Sequence, residues 1–177
     1  IGKIILAGVD DGMTNQAGVC IGVSTADCIP VLLYDEEHHA VAAIHAGWRG
    51  TLARIVHKTI QEMAFTYHTD PKKLKAVIGP GISIDSFEVG DEVYEAFEQA
   101  AFPMEEIAEQ RPNAAFSADP AERERLAAEG NIVQPLKWHL NLPLCNKQIL
   151  LHCGVAEENI QDCGICTFQH SDEYFSA

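Results

Sequence analysis

Apolar positions in this chain fall in short runs near the N-terminus and at helical spacing further on. Val19-Cys20-Ile21-Gly22-Val23-Ser24 reads as a strand. Ile29-Pro30-Val31-Leu32-Leu33 and Ala40-Val41-Ala42-Ala43-Ile44 read as two more, joined by the polar turn Asp35-Glu36-Glu37-His38-His39. After Gly50 the period lengthens. Leu52, Ile55, Val56, Thr59, Ile60 and Met63 share one helical face, with Arg54, Lys58 and Glu62 opposite. Residues 74–78 read as a strand ending at Gly79-Pro80-Gly81. Further helices are predicted over 91–101, with Val93, Ala96, Phe97 and Ala100 inward, and over 120–129, with Asp119 as cap and Pro120 first. Asn141-Leu142-Pro143 opens another, running to about Cys153 and closed by Gly154, and residues 159–162 form a short strand. Strands and helices alternate, yet the opening strands make a hairpin. The pattern predicts an α+β fold of mixed layers, a sheet with flanking helices, rather than a doubly wound parallel sheet.

The 177 residues are expected to form a single domain, and 47% apolar residues suit a soluble globular chain. No apolar run approaches the ~20 residues that span a bilayer. The opening run, residues 1–6, is too short for a signal peptide and lacks a cleavage pattern, so a cytoplasmic setting is expected. The chain does not begin with Met and opens inside a strand-like run, which predicts an upstream segment. Six scattered cysteines in a reducing setting argue against a disulfide framework. The net charge of −14 is uneven: residues 88–129 carry −9, whereas residues 1–87 carry −2. An acidic chain without a basic stripe is a poor partner for nucleic acid or an anionic membrane, and its acidic helices suit a solvated face.

The chemistry concentrates in the near-neutral part. Ala26-Asp27-Cys28-Ile29-Pro30 precedes the second strand, and His45-Ala46-Gly47-Trp48-Arg49-Gly50 ends the third. A hairpin would bring Cys28 and His45 to one end. A thiolate beside an imidazole is either part of a metal site, suited to zinc, or a nucleophile–base pair. Asp27 adds a carboxylate, Trp48 a flat surface, and Gly47 a place for close approach. Arg49, at the start of the following helix, suits an anion. Gly79-Pro80-Gly81 lacks the spacing of a nucleotide loop. Phe87 and Glu88 follow it and could reach the same pocket. Cys163-Gly164-Ile165-Cys166 is a lone CxxC, read as two unconnected thiols. His57, His68, His139, His152 and His170 are singletons read as surface or satisfied residues, and His38 and His39 as solvated.

Taken together, these segments resemble the bacterial YfiH-like laccase-domain family, also called the purine nucleoside phosphorylase or peptidoglycan editing factor family. The matches are Thr25 through Leu32, His45 through Thr51, Ile78 through Ile82, Phe87 through Gly90, Trp138 through Leu142 with Asn146 and Gln148, Cys166-Thr167, and Tyr174-Phe175-Ser176. The resemblance implies a YfiH-like fold lacking its N-terminal part. It implies a catalytic zinc with Cys28 and His45 as two ligands, and a third histidine from an upstream His-Gly motif without a counterpart in this chain. Asn141 stands where the family usually has Asp, and Ala177 where a terminal arginine would follow Ser176. The implied activity is phosphorolysis of purine nucleosides, methylthioadenosine included, with adenosine deamination alongside. On that reading Cys28, His45, Asp27 and Arg49 are catalytic, and Trp48, Phe87 and Glu88 bind substrate. The partners are nucleosides and phosphate, in a monomer or small homo-oligomer. Copper chemistry, as in the older polyphenol oxidase naming, would need several histidines in HxH pairs, and the chain has none. A metal-free Cys–His hydrolase or amidase acting on peptidoglycan, and a non-enzymatic binder using the acidic 88–129 face, are the alternatives.

Overall fold

The apolar runs of the hairpin build the centre of the molecule. The computed structural model describes the backbone of residues 2–3 and all of residues 10–130 and 133–176. In chain order the elements are β1 (Gly2–Lys3), β2 (Asp11–Thr14), β3 (Val19–Cys20), β4 (Ile29–Asp35), β5 (Ala40–Ala46), α1 (Trp48–Leu52), α2 (Ile55–Tyr67), β6 (Lys75–Ile78), β7 (Glu88–Val89), α3 (Asp91–Gln99), α4 (Met104–Ile107), β8 (Ala108–Pro112), α5 (Pro120–Ala128), β9 (Leu136–Leu140), α6 (Leu142–His152) and β10 (Ile160–Asp162).

On β4 the residues Ile29, Val31, Leu33 and Asp35 are buried, while Leu32 and Tyr34 are exposed. That period of two is what a half-covered strand requires. β4 and β5 pair antiparallel with Ile29 opposite Ala46, Pro30 opposite His45 and Leu32 opposite Ala43. The full sheet runs β10-β6-β4-β5-β2, with β10 parallel to β6 and the other pairs antiparallel. Val56, Ile60 and Met63 of α2 and Ile149 and Leu150 of α6 join Val31, Leu33 and Ile44 in one core. The other face carries Leu32, Tyr34 and Val77, which stay 37–49% exposed. His45 lies on that open side, because directly opposed residues share a face.

A second, antiparallel sheet, β7-β9-β8, packs beside the first. Tyr94 of α3 stacks on Trp138 of β9 at 3.9 Å, which ties that helix to the sheet. α5 buries none of its residues, in keeping with an acidic solvated face. No described helix is long and apolar enough to cross a membrane.

The α+β architecture is the one expected, with local departures. The helix read from one apolar stripe is split into α1 and α2 at Ala53 and Arg54. Arg54 takes the left-handed conformation (φ 55°). Its guanidinium donates to the Ala100 carbonyl at 3.0 Å and lies 4.5 Å over the Phe102 ring, so tertiary contacts override the helical period. Of the strand read over 19–24, Val19 and Cys20 pair with β1, and residues 21–24 have no ladder partner among the described residues. The strand-like run at residues 4–6 lies outside the described residues.

His38 is not simply solvated. The buried Asp35 carboxylate accepts from Thr69 Oγ1 at 2.6 Å, from His38 Nδ1 at 2.8 Å and from the backbone N–H groups of Glu37 and His38. Burial alone would push this carboxyl up, but the hydrogen bonds from Thr69 and His38 outweigh it and hold the group below its ordinary range. A lowered carboxyl contributes stability that is present above its unfolded pKa of about 4 and is lost as pH falls through the folded value. Asp35→Ala should therefore lower the unfolding free energy by about 3 kcal/mol at pH 7, and by progressively less below pH 4, in urea titrations. An equal deficit at pH 7 and pH 2.5 would contradict this role.

Candidate active site

The end of the hairpin holds the two donors. Cys28 immediately precedes β4, and the ladder that pairs Ile29 with Ala46 places Cys28 across from Gly47. A Cβ on Gly47 would sit 2.8 Å from Cys28 Sγ and 3.9 Å from His45 Nε2. Both donors thus face one point of space that only a glycine leaves open. The φ of Gly47 is an ordinary −67°, so the requirement is room, not backbone freedom. A soft sulfur and an imidazole nitrogen, which converge there, are both donor types that zinc accepts. Among the described residues no group of three His, Cys, Asp or Glu side chains is arranged to hold a metal. Burial pushes the Cys28 thiol up, and the negative charges of Asp27 and Asp10 push it further. That environment disfavours a bare thiolate, and a cation is what would reverse it.

Asp27 sits beside Cys28, as its sequence position requires, and its carboxylate accepts from Thr167 Oγ1 at 2.7 Å and from Ser176 Oγ at 2.9 Å. Its backbone carbonyl accepts from Ile82 N–H at 2.8 Å. The Gly79-Pro80-Gly81 loop presses against the same spot. A Cβ on Gly81 would come 2.5 Å from Ile29 Cδ1 and 3.1 Å from the Asp27 carbonyl. The Gly81 carbonyl accepts from Thr167 N–H at 3.1 Å. This convergence of hairpin, loop and C-terminal segment joins residues too distant in sequence for spacing to reveal. The CxxC pair is divided by it: Cys163 is exposed, and Cys166 is buried beside Ser83 and Ser86. Burial alone would raise the Cys166 thiol, but hydrogen bonds from Ser83 bring it to about 7.

Trp48 and Arg49 open α1, whose Thr51 N–H donates to the Gly47 carbonyl at 2.8 Å. Arg49 is exposed, with its guanidinium 4.0 Å over the Trp48 ring. The support beneath is buried. Asn146 donates to Thr51 Oγ1 at 3.1 Å and to the Leu142 carbonyl at 2.9 Å, and Thr51 Oγ1 donates to the Ala46 carbonyl at 3.4 Å. Asn146 had a legible signal: a lone amide among the core positions of α6. Phe87 packs partly against the core, and Glu88 pairs with Lys137 at 2.9 Å and lies 4.0 Å from His139, all on the second sheet. The hydrogen bond from Lys137 holds Glu88 below its ordinary range, against a small opposing effect of burial. His139 is buried and satisfied through the Ile84 carbonyl at 2.7 Å. A groove of about 750 Å³ lies elsewhere on the open sheet face, around Leu32, Tyr34, Val41 and Val77. Its lining is mostly apolar and holds neither Cys28 nor His45, so the chemistry points to the hairpin end instead.

Gly47→Ala is expected to displace Cys28 Sγ, since a 2.8 Å contact cannot stand. A misplacement of about 1 Å at a reacting centre costs on the order of 100-fold in rate. Turnover by the full-length protein should fall by roughly that factor while its melting temperature stays near the parent's. Unchanged turnover would remove Gly47 from the site.

Residues 3–177 match the profile of the family described as multi-copper polyphenol oxidoreductase laccase. A purine nucleoside phosphorylase of Bacteroides thetaiotaomicron is 41% identical over 173 residues, spanning 98% of this chain and 56% of the relative. Adenosine deaminase RL5, from an unknown prokaryotic organism, is 37% identical over 97% of this chain and 57% of its own length. The crystal structure of YlmD from Geobacillus stearothermophilus superposes with a TM-score of 0.73 at 26% identity, over 96% of this chain and 55% of that one. The chain thus spans just over half the length of these relatives. With its hairpin-end cysteine and histidine in place, it belongs to the multi-copper polyphenol oxidoreductase laccase family.

Proposed function

We propose that this chain forms the larger part of a zinc-dependent purine nucleoside phosphorylase that also deaminates adenosine and cleaves methylthioadenosine. The observation that carries the reading is the convergence of Cys28 Sγ and His45 Nε2 on the space beside Gly47. The nucleoside substrates are supported by relatives named purine nucleoside phosphorylase and adenosine deaminase. The family's name invokes copper, but one cysteine with one histidine and no HxH pair suits zinc better than a cluster of coppers. Cys28 and His45 would hold the ion together with a histidine supplied from outside this chain's described residues.

Zinc bound there supplies a Lewis acid at the reacting centre. The chain's own groups do the rest. Arg49, exposed at the rim and braced on Trp48, presents a guanidinium that can bind phosphate bidentately. Trp48 offers an apolar surface next to that charge, the pairing a nucleoside beside phosphate requires. Thr51 and Asn146 fix α1 from below, so both side chains project from a rigid start of helix.

The test is turnover of adenosine and inosine by the full-length protein, with and without phosphate, products being separated chromatographically. Phosphate-dependent release of free base, and inosine from adenosine, is the expected result. Cys28→Ala should abolish both activities, by at least ~1,000-fold, and leave the folded state intact by circular dichroism. A folded Cys28→Ala protein at full rate would refute the proposal.

A further inference from the structure

Asp27 has the position of a proton carrier, directly beside Cys28, but the bonds of a strut. One carboxylate oxygen, Oδ1, accepts from Thr167 Oγ1 at 2.7 Å and from Ser176 Oγ at 2.9 Å; Ser176 Oγ also reaches Oδ2 at 3.1 Å. These partners stand 140 and 149 positions away in sequence. Thr167 is buried, and its N–H is fixed to the Gly81 carbonyl. The backbone of Asp27 is held as well, through Ile82 N–H. Between the two hydroxyl donors the chain turns back on itself: His170 N–H bonds the Cys166 carbonyl, and Tyr174 N–H bonds the His170 carbonyl. Asp27 is therefore where the end of the chain is fastened to the loop that carries Cys28.

We propose that Asp27 is a positioning residue, whose carboxylate clamps the segment 167–176 against the Cys28 loop and so fixes where the thiol points. The assignment rests on the zinc site proposed above, but the clamp can be tested apart from it. Each of these three bonds is a hydroxyl donating to a carboxylate oxygen, so the clamp makes a chemical distinction. Asparagine keeps an acceptor oxygen at Oδ1 and can receive both hydroxyls, but it cannot carry a proton as a general acid or base. Alanine keeps neither ability. Valine at 167 removes the hydroxyl at almost constant shape, and serine at 167 restores it.

The experiment compares Asp27→Ala, Asp27→Asn, the double variant Thr167→Val with Ser176→Ala, and Thr167→Ser, all in the full-length protein. Two readouts are taken: amide hydrogen exchange across residues 168–176, and nucleoside turnover. Asp27→Ala and the double variant should each speed exchange in that segment by at least tenfold and cut turnover by a similar factor. Asp27→Asn and Thr167→Ser should hold exchange within about threefold of the parent and retain turnover within tenfold, with its pH profile unmoved. Two results overturn the proposal. One is an Asp27→Asn protein as inactive as Asp27→Ala with the segment still protected, which makes the carboxylate a proton carrier. The other is unchanged exchange in the double variant, which means the hydroxyls fasten nothing. Exchange decides the clamp even if the parent turns over no nucleoside, and that outcome would count against the proposed function alone.

Discussion

The register of β4 on β5 is the constraint on which the rest depends. With Pro30 opposite His45, the ladder carries Cys28 to the level of Gly47 and puts His45 on the sheet's open side. A slip of one residue would turn every side chain of one strand to the other face, sending Ile29, Val31 and Leu33 to solvent. The buried alternation therefore protects the site geometry: the same core that stabilises the sheet also sets the meeting of sulfur and imidazole. The hydrogen-bonded Asp35 and its turn lock the opposite end of the hairpin, so the register is pinned at both ends.

Much of this was legible in the residues themselves. Short apolar runs marked β4 and β5, and the cap residues Asp119 and Asn141 marked α5 and α6; both accept backbone N–H groups as a cap should. Two glycines flanking Trp48 signalled close approach, and the geometry gives Gly47 its reason. What stayed hidden is non-local. β8 reads Ala-Glu-Gln-Arg-Pro and has no alternation to detect, because it is a mostly exposed edge strand paired on one side only. β2 is likewise an edge strand, half-buried throughout. The split between α1 and α2 depends on Arg54 finding Ala100 and Phe102, residues no helical period can foresee. The partners of Asp27 lie at the far end of the chain and belong to the same class of surprise.

The uneven charge also acquires a physical sense. The acidic stretch maps onto β7, α3, α4, β8 and α5, and much of it is exposed. The rim of the site holds Arg49 instead, so an anionic substrate would meet local positive charge on a strongly acidic protein. The open apolar face with His45 at its end fits a protein whose relatives are nearly twice as long, since a surface holding Leu32, Tyr34 and Val77 is costly to leave in water.

The central claim is that Cys28 and His45 ligate one zinc ion. X-ray absorption at the zinc edge on the full-length protein tests it most directly. The account predicts one sulfur scatterer at about 2.3 Å with nitrogen neighbours at about 2.0–2.1 Å, and loss of the sulfur shell in Cys28→Ala. A zinc shell of nitrogen and oxygen alone in the parent protein, or a sulfur shell that survives Cys28→Ala, would contradict it.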